Sequence, residues 1–420
     1  MVPTSIDAER LWQRLMALAE IGATPGGGVD RQALCLAETA AWQLLIDWAQ
    51  GAGAEAFADR AGNLFLRLSG ESSGAPAVLI GSHIDTQPQG GRFDGAYGVI
   101  AALEVLTTLA QSEERFGRDL IVVAWMNEEG SRFAPGMMGS EVFCGVRSLE
   151  QVRAVRDIEG ASVAQALDAQ LARFPELAVV EPGFVPLAYI EAHIEQGPIL
   201  EREARMIGVV SGIQGKRTYR VAIEGAAGHA GTQPMAERQD ALIAFSGLAR
   251  LLDDEIGHHD DVVKFTIGRI EAWPNAPSVV AERVVFSIDL RHPRQQTLDM
   301  LGARLEAICA SFSTPCRVIN EPLVVAPGNE FDRHLQRVIA SCAEQRGYPA
   351  RSMLSAAGHD ARHLASICPA AMIFIPCRDG ASHVEHEWAE PEHVAAGANV
   401  LLDTVSALLV QREEDVADGD

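Results

Sequence analysis

Apolar residues recur at helical spacing over residues 6–20 and 30–51, so the chain is expected to open with two helices, the first capped at Thr4 or Ser5. The pattern then changes. APAVLIGSHID (75–85) is a continuous apolar run that ends in polar groups, as a strand buried on both faces would, with its C-terminal end at Gly81–His83. AYGVIAALEVLTTLAQ (96–111) reads as a helix and DLIVVAWMNEEG (119–130) as a second buried strand, again ending in polar groups. Strand, helix, strand predicts an α/β sheet, and ligands of such sheets collect at the C-terminal ends of the strands, where both polar clusters fall. Residues 145–185 are expected to be helical and irregular.

A change comes at Ser211–Gly215. TYRVAIEG, MAERQDALIAFSGLARLLDD, DVVKFTIGRIEA, ERVVFSIDLRH, TLDMLGARLEAICASF and PCRVINEPLV read as β-α-β-β-α-β, a self-contained small-domain pattern. Residues 328–420 return to α/β character, with AAMIFIP as a strand and PEHVAAGANVLLDTVSALLV as the closing helix; the acidic tail QREEDVADGD is expected to fray. The small domain, 213–327, therefore reads as an insertion into a larger one made of 1–212 and 328–420.

The length of 420 residues agrees with two cores. A formal net charge of −23 repels phosphate backbones and argues against nucleic-acid binding. No unbroken apolar run approaches 18 residues and the N-terminus lacks a basic start, so neither a membrane span nor a signal peptide is expected. Seven cysteines without CxxC spacing suggest reduced thiols and a cytoplasmic protein.

Four polar clusters carry candidate chemistry. His83 and Asp94, with glycines around Asp94, offer an imidazole and a carboxylate to a borderline metal, and Asp85 is placed to hold the His83 ring. Glu128 and Glu129 are adjacent acids at a strand end, where a cation on one would relieve their repulsion and free the other as a base. His193 stands among acids in AYIEAHIEQG, and His383 ends GASH ahead of Glu387. Taken singly, each cluster also reads as a solvated turn or a satisfied histidine.

In order, HxD, GGxFDG, EE, a later histidine and GxSH resemble the M20 metallopeptidase-like superfamily. The strings GSHIDTQPQGGRFDGAYGV, WMNEEGSRFAPGMMGS, AYIEAHIEQGPILE, GHAGTQPM, FSIDLRHP and AAGHDA are similar to the hydantoinase/carbamoylase family, which contains N-carbamoyl-L-amino-acid hydrolases, β-ureidopropionases and allantoate amidohydrolases. The resemblance runs over roughly residues 10–410. It implies two divalent cations, zinc or manganese, with cobalt and nickel also suited to such ligands. Asp94 would bridge them, His83 and His193 complete one site, and Glu129 and His383 the other. Glu128 would be the general base and Gln196 a substrate contact. The implied fold is an α/β metallopeptidase-like catalytic domain with an inserted ferredoxin-like α+β lid that also forms a homodimer. On that lid His229 would polarise the substrate carbonyl, in its own subunit or across the dimer. Arg291 would grip the substrate carboxylate, with Arg217 as a further substrate-side contact.

The chain departs from the family pattern at Ser278, where an asparagine is usual, at Ala281 in place of a proline, at Val384-Glu385 in place of asparagine-proline, and at Ala356 in place of a glycine. Those changes leave the ligands intact and bear on the substrate. The expected activity is hydrolysis of a linear amide or ureido C–N bond in a small carboxylate, most simply an N-carbamoyl amino acid. An M20-type peptidase or N-acyl-amino-acid deacylase is the alternative within enzymes, and a non-catalytic ureido-binding relative the alternative outside them.

Overall fold

The computed structural model describes residues 5–72, 74–112 and 114–410. The acidic tail and Thr4 lie outside them. The first helix, Ala8–Ala19, is capped by Asp7, whose side chain accepts the Arg10 N–H at 3.0 Å. Asp7, rather than the expected Ser5, thus provides the cap. The second helix is also shorter than its apolar periodicity suggests, Leu36–Gly51. Residues before it are held out of helical geometry by buried Arg31, which donates to the carbonyls of Leu18, Ile21 and Ile84 at 2.8–2.9 Å.

The chain divides into two compact units, Met1–Gly212 with Phe331–Asp420, and Ile213–Glu330. The first is built on a mixed sheet. Its centre is four parallel strands, in the order Ala370–Ile375, Ala188–Ile194, Val78–His83 and Leu120–Trp125. Every residue in these four is buried, which explains their near-continuous apolar sequences. Leu64–Leu68 and Glu55–Asp59 extend the sheet on one side as antiparallel strands, Ala178–Val180 closes that side, and Ile207–Ile213 flanks the other.

Helices Ala96–Ala110 and Pro391–Val410 pack on the parallel strands and on each other. Pro391–Val410 is long and apolar enough to cross a bilayer by length and composition, with mean hydropathy 1.5, although no unbroken apolar run announced it. Asn399, Asp403 and Thr404 interrupt the run without lowering its average much. In the fold 67% of this stretch is buried, so its apolar surface is used by the core. Between residues 145 and 185 lie two short helices, Leu149–Arg153 and Val163–Leu171, each opened by a serine–glutamine capping box.

The second unit is a four-stranded antiparallel sheet in the order Lys264–Trp273, Arg283–His292, Gly215–Glu224, Arg317–Ala326. Helices Ala241–Leu252 and Gln295–Ser311 share a core with it. With these four strands numbered in chain order, the sheet order is the ferredoxin-like one, second, third, first, fourth. A separate two-stranded ribbon pairs Gly228–His229 with Val279–Val280.

Candidate metal centre

The four parallel strands deliver their polar residues to one edge of the sheet. His83 ends its strand, His193 is the penultimate residue of its own, Glu128 and Glu129 follow Trp125 by a few residues, and His383 follows Ile375 through a loop. Asp94 arrives on the glycine-rich turn before helix Ala96–Ala110. Gly95 has φ 62°, and a Cβ there would lie 2.3 Å from the His83 ring, so glycine is what lets Asp94 and His83 share this space.

Asp94 is the hub. One oxygen, Oδ1, is 3.3 Å from His193 Nε2 and 3.7 Å from His83 Nε2. The other, Oδ2, is 3.2 Å from His383 Nε2, which in turn is 3.4 Å from Glu129 Oε2. Two groups result, His83–Asp94–His193 and Asp94–Glu129–His383, each with its donor atoms within 4.8 Å of one another. Four donors about 2.0–2.2 Å from a tetrahedral zinc would stand about 3.3–3.6 Å apart. The observed separations fit that spacing.

Hydrogen bonds orient the imidazoles. His193 Nδ1 faces the Ile194 carbonyl at 2.9 Å, and its Nε2 accepts the Gly95 N–H at 3.1 Å. That pairing puts the proton on Nδ1 and makes Nε2 the acceptor, 3.3 Å from Asp94 Oδ1. His83 Nδ1 faces the Asp85 main-chain carbonyl at 2.9 Å. The Asp85 side chain lies beside the same ring nitrogen, with Oδ1 3.5 Å from Nδ1, and it also accepts the N–H groups of Glu128 and Glu129, each at 3.1 Å. The turn after the strand folds the carbonyl back onto the ring, and the carboxylate stands between the ring and the neighbouring loop.

The electrostatics point the same way. Burial raises Glu129 to about 7, with the charge of Asp94 adding to it. Its hydrogen bond with Asp94 raises His383 to about 9. Burial also pushes Glu128 well above the carboxylate range, although His83 opposes it; the two carboxylate–imidazole contacts of Asp94 overcome its burial and hold it well below. Negative charge is thus crowded at one place, with Gln196 adding a buried Oε1 that has no hydrogen-bond partner. The residues fit divalent cations, which would oppose the upward shifts of Glu128 and Glu129.

Glu128 Oε2 lies 3.6 Å from His83 Nε2, inside the same cluster. Gln196 Nε2 donates to Asp94 Oδ2 at 2.8 Å and to Ser382 at 3.1 Å. Some residues here were missed by sequence reasoning. Glu387 Oε1 accepts the N–H groups of Phe93 and Asp94 at 2.9 and 3.1 Å. Glu191 and His359 crowd His193 from behind as a third group, and Asp360, completely buried, accepts from Ser140. The strings holding them were visible, but only burial reveals their place.

In the second unit, His229 and Ser278 come together on the ribbon. His229 pairs with Val279, and the Ser278 carbonyl accepts the Ala230 N–H at 3.0 Å. His229 Nδ1 accepts the Gly231 N–H at 3.0 Å, which leaves the proton on an exposed Nε2. Arg291 and Arg217 do not come together. Arg217 is paired in register with core-facing Leu290, lies against helix Gln295–Ser311, and bonds Asp299 at 2.7 Å. Arg291, in register with Lys216, is on the opposite face, bonded to Asp289 at 2.8 Å. Alternation along the strands therefore places Arg217 and Arg291 on opposite faces of the sheet.

A profile described as peptidase family M20/M25/M40 matches residues 79–407. An N-carbamoyl-L-amino-acid amidohydrolase of Rhizobium meliloti is 38% identical over 405 residues, covering 95% of this chain and 96% of that protein. An allantoate amidohydrolase of Bacillus subtilis is 35% identical, covering 93% and 95%. The crystal structure of an amidase of the hydantoinase/carbamoylase family from Burkholderia multivorans superposes with a TM-score of 0.87 at 40% identity, covering 97% of this chain and 99% of that one.

Proposed function

Because the chain belongs to peptidase family M20/M25/M40, and within it to the hydantoinase/carbamoylase amidohydrolases, we propose that it hydrolyses the ureido C–N bond of N-carbamoyl amino acids. The observation that carries this is Asp94, with one oxygen in each of two histidine-containing groups beside buried Glu128. His83, Asp94 and His193 would hold one divalent cation and Asp94, Glu129 and His383 the other. Bound there, the pair supplies Lewis acidity to the carbonyl and lowers the pKa of water.

The chain's own groups do the rest. Glu128, raised by burial, takes the proton of the attacking water and hands it to the leaving nitrogen. Its place is fixed by Asp85 through the Glu128 and Glu129 N–H groups. His229, protonated at Nε2, donates to the developing oxyanion, and Arg291 pairs with the substrate carboxylate. One water and one N-carbamoyl amino acid give amino acid, ammonia and carbon dioxide. A homodimer through the second unit, in a reducing cytoplasm, completes this reading; seven free thiols support the compartment.

A second reading, allantoate as substrate, is supported by 35% identity to the Bacillus subtilis enzyme. An ammonia-release screen over N-carbamoyl-L-amino acids, β-ureidopropionate, allantoate and ureidoglycolate, beside N-acetyl and dipeptide controls and with zinc and manganese compared, separates the candidates. Turnover confined to the dipeptides or N-acetyl compounds would reject ureido hydrolysis. Binding of ureido compounds without any ammonia release would favour a non-catalytic relative.

A further inference from the structure

Thr24-Pro25-Gly26-Gly27-Gly28 forms a tight loop in which Thr24 Oγ1 accepts the Gly28 N–H at 3.1 Å and the Thr24 N–H donates to the Gly28 carbonyl at 3.0 Å. The loop touches two of the three segments that carry the His383 side of the metal centre, those of Asp94 and His383. On one side Val29 exchanges two backbone hydrogen bonds with Gly90, each 3.0 Å, and Arg92 Nε donates to the Gly27 carbonyl at 2.6 Å. Asp94 is two residues further on. On the other side the Thr24 hydroxyl donates to the carboxylate of Glu385, two residues after His383. The approach is so close that a Cβ on Gly26 would fall 2.1 Å from Glu385 Oε2, and one on Gly28 would fall 2.7 Å from Glu385 Cα.

His383 needs such an anchor. Its backbone has φ 59°, the left-handed region that a β-carbon disfavours. Its side chain is 47% exposed, far more than the other ligating residues. Glu387 ties the end of this loop to the Phe93 and Asp94 N–H groups. Residues nearer His383 are tied by Glu385. In the family pattern this position is a proline, whose ring restricts the backbone by itself; here a hydrogen-bonded tether stands in its place.

We propose that Thr24 and Glu385 are positioning residues for His383, setting the affinity of the Asp94–Glu129–His383 cation site while leaving His83–Asp94–His193 unaffected. The inference rests on the two-cation reading above. Without the tether, the loop at 381–386 samples backbone states in which His383 is misplaced, and cation binding has to reorder it.

The test uses the full chain, stripped with a chelator and titrated with Zn2+ by calorimetry, with bound zinc counted by elemental analysis and melting of the apo protein recorded. The wild type is expected to take two ions. Thr24→Val keeps the first and binds the second about 10–100-fold more weakly, the usual cost of losing a partner behind a ligand. Thr24→Ser restores wild-type binding, and Gly26→Ala, which displaces Glu385 without touching Thr24, reproduces the selective loss. Apo melting stays the same in all four. Equal weakening of both sites, or two unchanged sites in Thr24→Val, overturns this inference alone. A wild type that takes one ion or none overturns the two-cation reading, and the inference with it.

Discussion

Asp94 makes the centre a pair rather than two neighbours, since each of its oxygens serves a different group. Glu128 belongs to neither group, as the base proposed above requires. Glu128→Gln is expected to lower turnover about 10²–10⁴-fold while both ions stay bound; full turnover in that variant would reject Glu128 as the base. The two arginines should also separate. Arg291→Ala raises KM about tenfold, roughly 1.4 kcal/mol of binding, whereas Arg217→Ala leaves KM alone and lowers the melting temperature by breaking its bond to Asp299. Steady-state kinetics beside thermal melts decides, and a KM effect in Arg217→Ala would contradict the placement on the helix-covered face. At this scale the sequence was informative where a polar side chain ends an apolar strand, as His83 does, or closely follows one, as Glu128 does. It did not show that the Glu387 and Asp85 carboxylates accept main-chain N–H groups, since such bonds leave no pattern of partners along the chain.

Among the elements, the parallel strands were legible because burial on both faces leaves little but apolar residues. Glu55–Asp59 and Leu64–Leu68 were not: five residues each give too short a run to separate strand from helix. Helix starts also escaped periodicity, which does not see Asp7 or the Arg31 bonds. Asp7→Ala should cost about 1 kcal/mol in a chemical-denaturation experiment, the usual worth of a cap. The short helix Ala361–Leu364 carries a pH dependence. Burial, then Arg362 and Arg147, lower His363 from 6.5 to about 4. A histidine held neutral in the fold adds stability that is complete above the unfolded pKa. It is lost as pH falls from 6.5 toward 4, by at most about 3 kcal/mol. His363→Gln should therefore show a flatter melting profile across that window; an unchanged slope would mean that His363 is not held neutral.

For the whole molecule, removal of the cations should expose the crowding of carboxylates that Glu129 reports. Chelation is expected to lower the melting temperature, and zinc or manganese at 100 times its dissociation constant to restore about 2.7 kcal/mol per site. Melting curves that ignore both chelator and metal would speak against these ions as part of the fold. Two units were legible because the order of strands and helices changes character near residues 211–215 and again near 328. The discontinuity of the first unit has a consequence for how the protein is made. Ribosomes add residues in order, at about 5–20 per second. His83, Asp94 and His193 are all present long before His383, which emerges 190 positions after His193. The strand Ala370–Ile375, which fills the gap between Ile207–Ile213 and Ala188–Ile194, comes equally late. On the two-cation reading proposed above, a growing chain would therefore own the first ligand set for tens of seconds before the second exists, and loading of the two ions would be ordered in time by the direction of translation.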